Sequence, residues 1–167
     1  MARESLRVPL NDQGMKKFFI SLVLLVMALA LSSCQSIDNF VVINRSGAPV
    51  EVIYIFIRAS SGVIHVEEPR VMDATNLKDV NRTWEPIPND QYQIEPQTGR
   101  VKVRLASGKA LRLTSATNYQ RESPDADADF GISSLSLLGA KGSIRLDGRQ
   151  ARMLFKYEDK CHVIAYE

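Results

Sequence analysis

The sequence has few of the residues that catalytic and metal sites use. Its 167 residues include two histidines, His65 and His162, and two cysteines, Cys34 and Cys161. The histidines lie far apart without metal-type spacing, and no serine has the flanking glycines of a nucleophile elbow. We interpret both histidines as surface residues of strands and expect no enzymatic activity. A hydrolytic alternative would require a histidine beside a carboxylate in a cleft.

Most of the chain has no excess of positive over negative charge. The formal charge of +2 comes from residues 1–33, where four basic residues outweigh two acidic ones. From Cys34 onward, 17 lysines and arginines balance 17 aspartates and glutamates. This balance provides no field that would concentrate a polyanion, so we expect no nucleic-acid partner.

The chain has one long apolar run, residues 18–31 (FFISLVLLVMALAL), which follows Lys16 and Lys17. A helix of that length covers roughly 21 Å, which is less than the roughly 30 Å hydrocarbon core of a bilayer. A basic pair, a short apolar run and small residues at its end are typical of a secretory signal peptide. We therefore predict a signal peptide over residues 1–33, with Met15 as a possible true start. A retained anchor helix is the disfavoured alternative.

The apolar run ends in the tetrapeptide LSSC, residues 31–34, which resembles the lipobox of bacterial lipoproteins. The resemblance covers residues 15–36. It implies that a signal peptidase cuts between Ser33 and Cys34, and that Cys34 then carries a diacylglyceryl group and an acyl chain on its new amino terminus. Such chains would hold the protein on its membrane, since two chains already anchor stably. An ordinary secreted protein with a chance cysteine is the alternative.

The residue after Cys34 bears on the membrane address. Gln35 stands where the inner-membrane retention signal of enterobacterial lipoproteins has Asp. The resemblance therefore implies the inner leaflet of the outer membrane, facing the periplasm, with the inner membrane or the cell surface as alternatives. We expect no cofactor besides the covalent lipid.

Period-two alternation of apolar and polar residues recurs in the remaining chain, with regularly spaced turn residues. This pattern predicts an all-β fold, an antiparallel β-sandwich of immunoglobulin-like or similar type. We place it in one domain over residues 41–167, after a lipidated amino terminus and short linker over residues 34–40. The run VEVIYIFIR, residues 50–58, is apolar on both faces apart from Glu51, which is typical of a central strand.

Two hairpins are predicted from the turns and the register. Residues 40–44 should pair with residues 50–58 through the turn RSGAP. Within residues 100–114 (RVKVRLASGKALRLT), a three-residue loop at 107–109 sets Leu105 opposite Leu111. The same register gathers four basic residues on the outer face, which we interpret as a solvated face or, alternatively, as a site for an anionic partner: Arg100, Lys102, Arg104 and Arg112.

The C-terminal residues fit a further meander, with turns at 147–150 and 158–160. In that register Cys161 pairs with Tyr157 and points into the core, while His162 points to the opposite face. With Cys34 lipidated, the chain holds no second cysteine that could form a disulfide with Cys161. We therefore predict a buried thiol rather than an intermolecular disulfide.

The segment PDADADFG contains three alternating aspartates, Asp125, Asp127 and Asp129. They resemble the opening of a calcium loop, in which carboxylates supply hard oxygen ligands. The glycine arrives one position late, at Gly131, and the twelfth position is Ser136 rather than glutamate. We favour a solvated acidic loop and keep a calcium site as the alternative.

Residues 68–91 have the weakest β pattern and contain the single tryptophan, Trp84. Irregular segments of this length often carry function, and tryptophan is enriched in interface hot spots. Trp84, together with Arg104 and Arg112, is therefore our candidate for partner contact. The alternative is that Trp84 plugs one end of the sandwich.

These observations favour a membrane-anchored envelope lipoprotein that faces the periplasm. We expect a non-enzymatic binding, assembly or accessory role toward another envelope protein. The alternative is a binding module or inhibitor for a soluble ligand, which would need a concave pocket lined by Trp84 or the Arg104 face.

Overall fold

A computed structural model describes residues 36–58, 64–79, 83–123 and 125–167. Ser36–Glu167 form one compact unit. The predicted signal peptide, its cleavage site and Cys34 lie outside the described residues.

Within these ranges the chain forms eleven strands, two short α-helices and two 3-10 helices. The helices are α1 (Ala126–Phe130) and α2 (Gly148–Leu154), and the 3-10 helices span Ala74–Lys78 and Asn89–Gln91. The strands are β1 (Ile37–Asn44), β2 (Val50–Phe56), β3 (Arg70–Asp73), β4 (Glu85–Pro86), β5 (Tyr92–Glu95), β6 (Arg100–Leu105), β7 (Lys109–Thr117), β8 (Ile132–Gly139), β9 (Gly142–Asp147), β10 (Lys156–Glu158) and β11 (Cys161–Tyr166).

The strands form two sheets that pack face to face. Sheet A has the order β10-β11-β1-β7-β3-β4, and sheet B has the order β5-β6-β2-β8-β9. Alternate residues of both sheets meet in one core, as Phe40 and Val42 of β1 do with Val52 and Tyr54 of β2. The predicted all-β sandwich in a single domain is thus confirmed.

The pairing within sheet A departs from the antiparallel expectation at one place. β1 pairs antiparallel with β7 but parallel with β11, so that Phe40 lies beside His162. β1 begins at Ile37, so the folded domain starts before residue 41, and Phe40, which we placed in the linker, is fully buried in the core. The predicted linker is therefore shorter than we expected.

β2 is the middle strand of sheet B, as predicted for VEVIYIFIR, with β6 and β8 on its two sides. The predicted hairpin between β1 and β2 is wrong, because β1 belongs to sheet A. Their connection crosses between the sheets around Asn44, whose side-chain amide donates to the Ala48 and Leu105 carbonyls at 2.9 and 3.0 Å. Ser46 donates to the Asn44 side chain through its backbone and its hydroxyl group.

The second predicted hairpin is wrong for the same reason. β6 lies in sheet B and β7 in sheet A, so Leu105 and Leu111 are not paired. Both leucines are nevertheless buried in the common core, as are Val103 and Leu113. A hairpin and a crossover between sheets place the same alternate residues toward the core, so alternation alone does not distinguish them.

The C-terminal register also differs from the prediction. Residues 148–154 form α2 rather than a turn, and Asp147 and Gln150 make a reciprocal capping box at its start. The last turn consists of two residues with positive φ, Asp159 and Lys160. Glu158 therefore faces Cys161, which leaves Tyr157 beside His162.

A second, smaller core covers the outer face of sheet A. It contains Cys161 with Val41, Met72 and Leu77, among others. Cys161 is fully buried, as predicted, but it lies in this outer cluster rather than between the sheets. Successive residues of a strand point to opposite faces, as predicted for this pair, but the two faces are exchanged: His162 faces the inner side, against Phe40, and not the surface.

Candidate functional site

The structure separates Arg104 from the other two residues predicted to contact a partner, Trp84 and Arg112. Arg104 lies on β6 in sheet B, opposite Glu51, while Arg112 lies on β7 in sheet A. The expected common basic face of Arg104 and Arg112 is therefore wrong. Their side chains belong to different sheets, because the loop between them is a crossover rather than a hairpin.

Trp84 and Arg112 do lie together, on the outer face of sheet A. The Arg112 guanidinium carbon lies 5.7 Å from the centre of the indole ring, and its Nη2 lies 4.0 Å from Glu67 Oε2. The half-buried indole packs against the outer cluster that contains Met72. Trp84 therefore covers one face of a sheet rather than one end of the sandwich.

The three aspartates of the proposed calcium loop lie on or beside α1. Asp125 is its N-cap residue and Asp127 and Asp129 follow within it, so that the helical rotation turns successive carboxylates to different sides. Asp127 Oδ1 accepts a hydrogen bond from Arg152 Nε at 2.6 Å. The described residues contain no group of three or more His, Cys, Asp or Glu side chains that could hold a metal ion.

The two histidines have different surroundings. His65 is exposed in an irregular segment, not in a strand. The His162 side chain is largely buried, and its Nε2 lies 3.4 Å from Asp38 Oδ1. Its ring stacks on Phe40, with 4.8 Å between centroids. The prediction of a surface residue is therefore wrong for His162, because the parallel pairing of β1 with β11 covers it.

Burial lowers the pKa of His162 below its ordinary value of 6.5. The negative charge of Asp38 and its hydrogen bond oppose this shift, and the positive charge of Arg121 adds to it. His162 is therefore predominantly neutral at pH 7. The carboxylate that the hydrolytic alternative required is present, but His162 lines none of the three grooves described below.

A second polar group lies at the side of the sandwich, beside the pair of His162 and Asp38. Arg152 of α2 is largely buried, and its Nη1 donates to the Arg121 carbonyl at 2.7 Å. Arg121 in turn donates to the Phe155 carbonyl at 2.6 Å. Interactions with the Tyr119 hydroxyl and with Asp127 raise the pKa of Arg152 against the effect of burial. These bonds connect α1, α2 and the segment after β7.

Three grooves open near the turn formed by residues 45–49. One of about 360 Å³ is lined by Pro49, Asp90, Gln91, Arg104 and Ala106. A shallower one of about 580 Å³ lies on the other side of Pro49, along residues 138–143. A third of about 410 Å³ is lined by Arg45, Ile144, Leu154 and residues of β10 and β11.

The position of these grooves follows from the direction of β1. This strand starts at Ile37 and ends at Asn44, so the turn at 45–49 lies at the opposite end of the sandwich from Ser36. Pro49 lines two of the grooves. The sequence indicated Arg104 as a contact residue but gave no signal for Pro49 beyond its place in a turn.

In comparisons with known proteins, the chain matches no family model, no curated protein and no solved structure. In the part of the chain that the structure describes, none of the helices has both the length and the apolar character needed to cross a membrane.

Proposed function

We propose that the chain is a cell-envelope lipoprotein whose sandwich domain binds or braces another envelope component without catalysis. Cys34 carries the lipid, on the periplasmic side of the outer membrane. The observation that supports this arrangement is the position of β1. Only Gln35 and Ser36 separate Cys34 from its first residue, Ile37.

The short connection limits how far the domain stands from the membrane. Three Cα steps of an extended chain span at most about 11 Å. Ser36 is fixed to the fold, because its N–H donates to Asn118 Oδ1 at 3.0 Å and its carbonyl accepts from the Asn118 N–H at 2.8 Å. The grooves beside Pro49, at the opposite end, then face the periplasm and are the surface for a partner.

A test of lipid attachment uses the two cysteines of the chain. Cys34→Ala should leave the precursor uncut and remove the protein from the membrane lipoprotein fraction. Cys161→Ala is the matched control, and it should be processed and lipidated normally. Normal cleavage and membrane retention of Cys34→Ala would contradict the proposal.

A test of the binding surface uses Pro49, which lines two grooves. Pro49→Arg should abolish co-purification of an envelope protein with the lipidated chain, because it changes the wall that the two grooves share and adds a long charged side chain there. Gln93→Arg, an exposed change on β5, adds the same charge elsewhere and should retain the partner. Equal capture by both variants would exclude these grooves as the contact.

The second candidate function is binding of a soluble ligand. It is favoured by the groove that Arg104 lines, whose volume of about 360 Å³ lies within the lower range of ligand sites. Mass spectrometry of the denatured, purified protein would support it by finding a small molecule that Arg104→Ala loses and Arg145→Ala retains.

A further inference from the structure

We infer that the end of the sandwich carrying Ile37 and Ile57 rests on the lipid surface to which the chain is anchored. This inference rests on the proposed lipidation of Cys34. It adds a second contact with the membrane, made by the folded domain itself.

The two isoleucines lie at the same end of the domain. β1 runs away from Ser36, the chain crosses to sheet B at residues 45–49, and β2 runs back. Ile57 directly follows β2, so the chain has returned to the end where β1 begins. The Ile57 N–H donates to the Gly131 carbonyl at 2.8 Å, which fixes its backbone beside the end of α1.

Both side chains are open to solvent. Ile37, the first residue of β1, is 64% exposed, and Ile57, which follows β2, is 38% exposed. Contact with the headgroup and acyl boundary of a bilayer would remove this apolar surface from water.

The tether, which is the chain from Cys34 to Ile37, places this end of the domain within reach of the headgroup and acyl boundary. The α-carbon of Ile37 lies at most about 11 Å from that of Cys34. The headgroup region on each side of a bilayer is roughly 5–7 Å thick. Because both hydrogen bonds to Asn118 hold Ser36 against the fold, the free part of the tether is shorter still.

The charges at this end do not favour anionic headgroups. Arg58 follows Ile57, while Asp125, Asp127 and Asp129 lie on or beside α1 at the same end. Three of these four groups are acidic, so attraction to anionic lipids does not explain the contact. We therefore expect the apolar contact to form on zwitterionic lipid.

The experiment uses lipidated full-length mature protein in phosphatidylcholine vesicles. Ile37→Cys, Ile57→Cys and Ala140→Cys are each combined with Cys161→Ala and labelled with an environment-sensitive fluorophore. Ala140 is exposed at the turn after β8, at the opposite end, and serves as the matched control. Nitroxide lipids should quench the probe at positions 37 and 57 by about half, and at position 140 by less than about a tenth. Mass spectrometry reports lipidation of the same samples.

Quenching at positions 37 and 57 alone supports the inference, and an added fraction of anionic lipid should leave it unchanged. Equal quenching at all three positions, no quenching at any, or quenching that needs anionic lipid overturns the inference while leaving the anchor intact. A mass without lipid overturns the proposed function and, with it, the inference.

Discussion

Asp38 and His162 lie side by side on the parallel strands β1 and β11, with 3.4 Å between Oδ1 and Nε2. Their side chains are 15% and 13% exposed, so both groups are largely removed from water. The pair joins the first strand of the domain to the last. Phe40 stacks on the imidazole, and Tyr119 and Tyr157 meet it edge-on at 5.2 Å.

We expect this pair to make stability depend on pH. Burial holds the pKa of His162 below the ordinary 6.5 of the unfolded chain. Between those two values the unfolded chain binds more protons, so the free energy of unfolding falls as the pH decreases through that window. Above 6.5 the contribution is fully present.

Urea unfolding of the variant His162→Gln at several pH values checks this expectation. The variant should show a shallower decline of stability below pH 6.5 than the wild type. His65→Gln, a change at an exposed histidine, should keep the wild-type slope. A slope in His162→Gln identical to that of the wild type would refute the assignment.

Arg152 provides a second prediction. Arg152→Met removes the donor to the Arg121 carbonyl and the partner of Asp127. The Asp127 side chain is 56% exposed, so water can replace the guanidinium there, and the main loss is the unsatisfied carbonyl. We expect the free energy of unfolding to fall by about 1–3 kcal/mol.

The control for Arg152 is Arg149 on the same helix. Arg149 is exposed, and Arg149→Met should change the stability by less than about 0.5 kcal/mol. Equal effects of the two changes in denaturant unfolding would mean that the buried bonds contribute nothing.

The sequence predicted which residues face the core better than it predicted which strands pair. The continuous apolar run identified β2 as a central strand, and alternation placed Leu105 and Leu111 inside. It could not reveal that β6 and β7 belong to different sheets, since a crossover preserves the same inward positions. The parallel pairing that covers His162 joins the two ends of the domain, and no local pattern reports it.

The helix α2 was missed for a different reason. It is seven residues long, and only Ala151 and Arg152 are buried in it, so it has no apolar stripe to detect. One local signal was available. Asp147 is followed three positions later by Gln150, which is the spacing of a capping box.

Gly148, the first residue of α2, gives a third prediction. A Cβ at this position would overlap the Ile132 carbonyl oxygen and lie 3.1 Å from the Ser133 α-carbon. Alanine favours helix by up to about 1 kcal/mol, but the overlapping atoms belong to backbone of β8 and cannot turn away. We expect Gly148→Ala to lower the free energy of unfolding by about 1–3 kcal/mol.

Gly47 is the matched control, because a Cβ there would meet nothing within 4 Å. Thermal or urea unfolding of Gly47→Ala should differ from the wild type by less than about 0.5 kcal/mol. A wild-type stability for Gly148→Ala would show that α2 can move away from β8 at little cost.

Substitutions of Trp84 distinguish a structural role of this residue from a role in partner recognition. Its half-buried indole packs on the outer cluster and lies over Arg112, so Trp84→Ala should remove packing from sheet A. Fully buried tryptophans cost about 3–5 kcal/mol on truncation, and partial exposure should reduce the loss to about 2 kcal/mol.

Trp84→Phe retains an aromatic ring over Arg112 and should recover most of that stability, whereas Glu85→Ala, at the exposed neighbouring position, should change it little. Capture of an envelope partner should survive in Trp84→Phe if the grooves beside Pro49 form the contact. Stability unchanged in Trp84→Ala, together with loss of capture, would instead assign the outer face of sheet A to the partner.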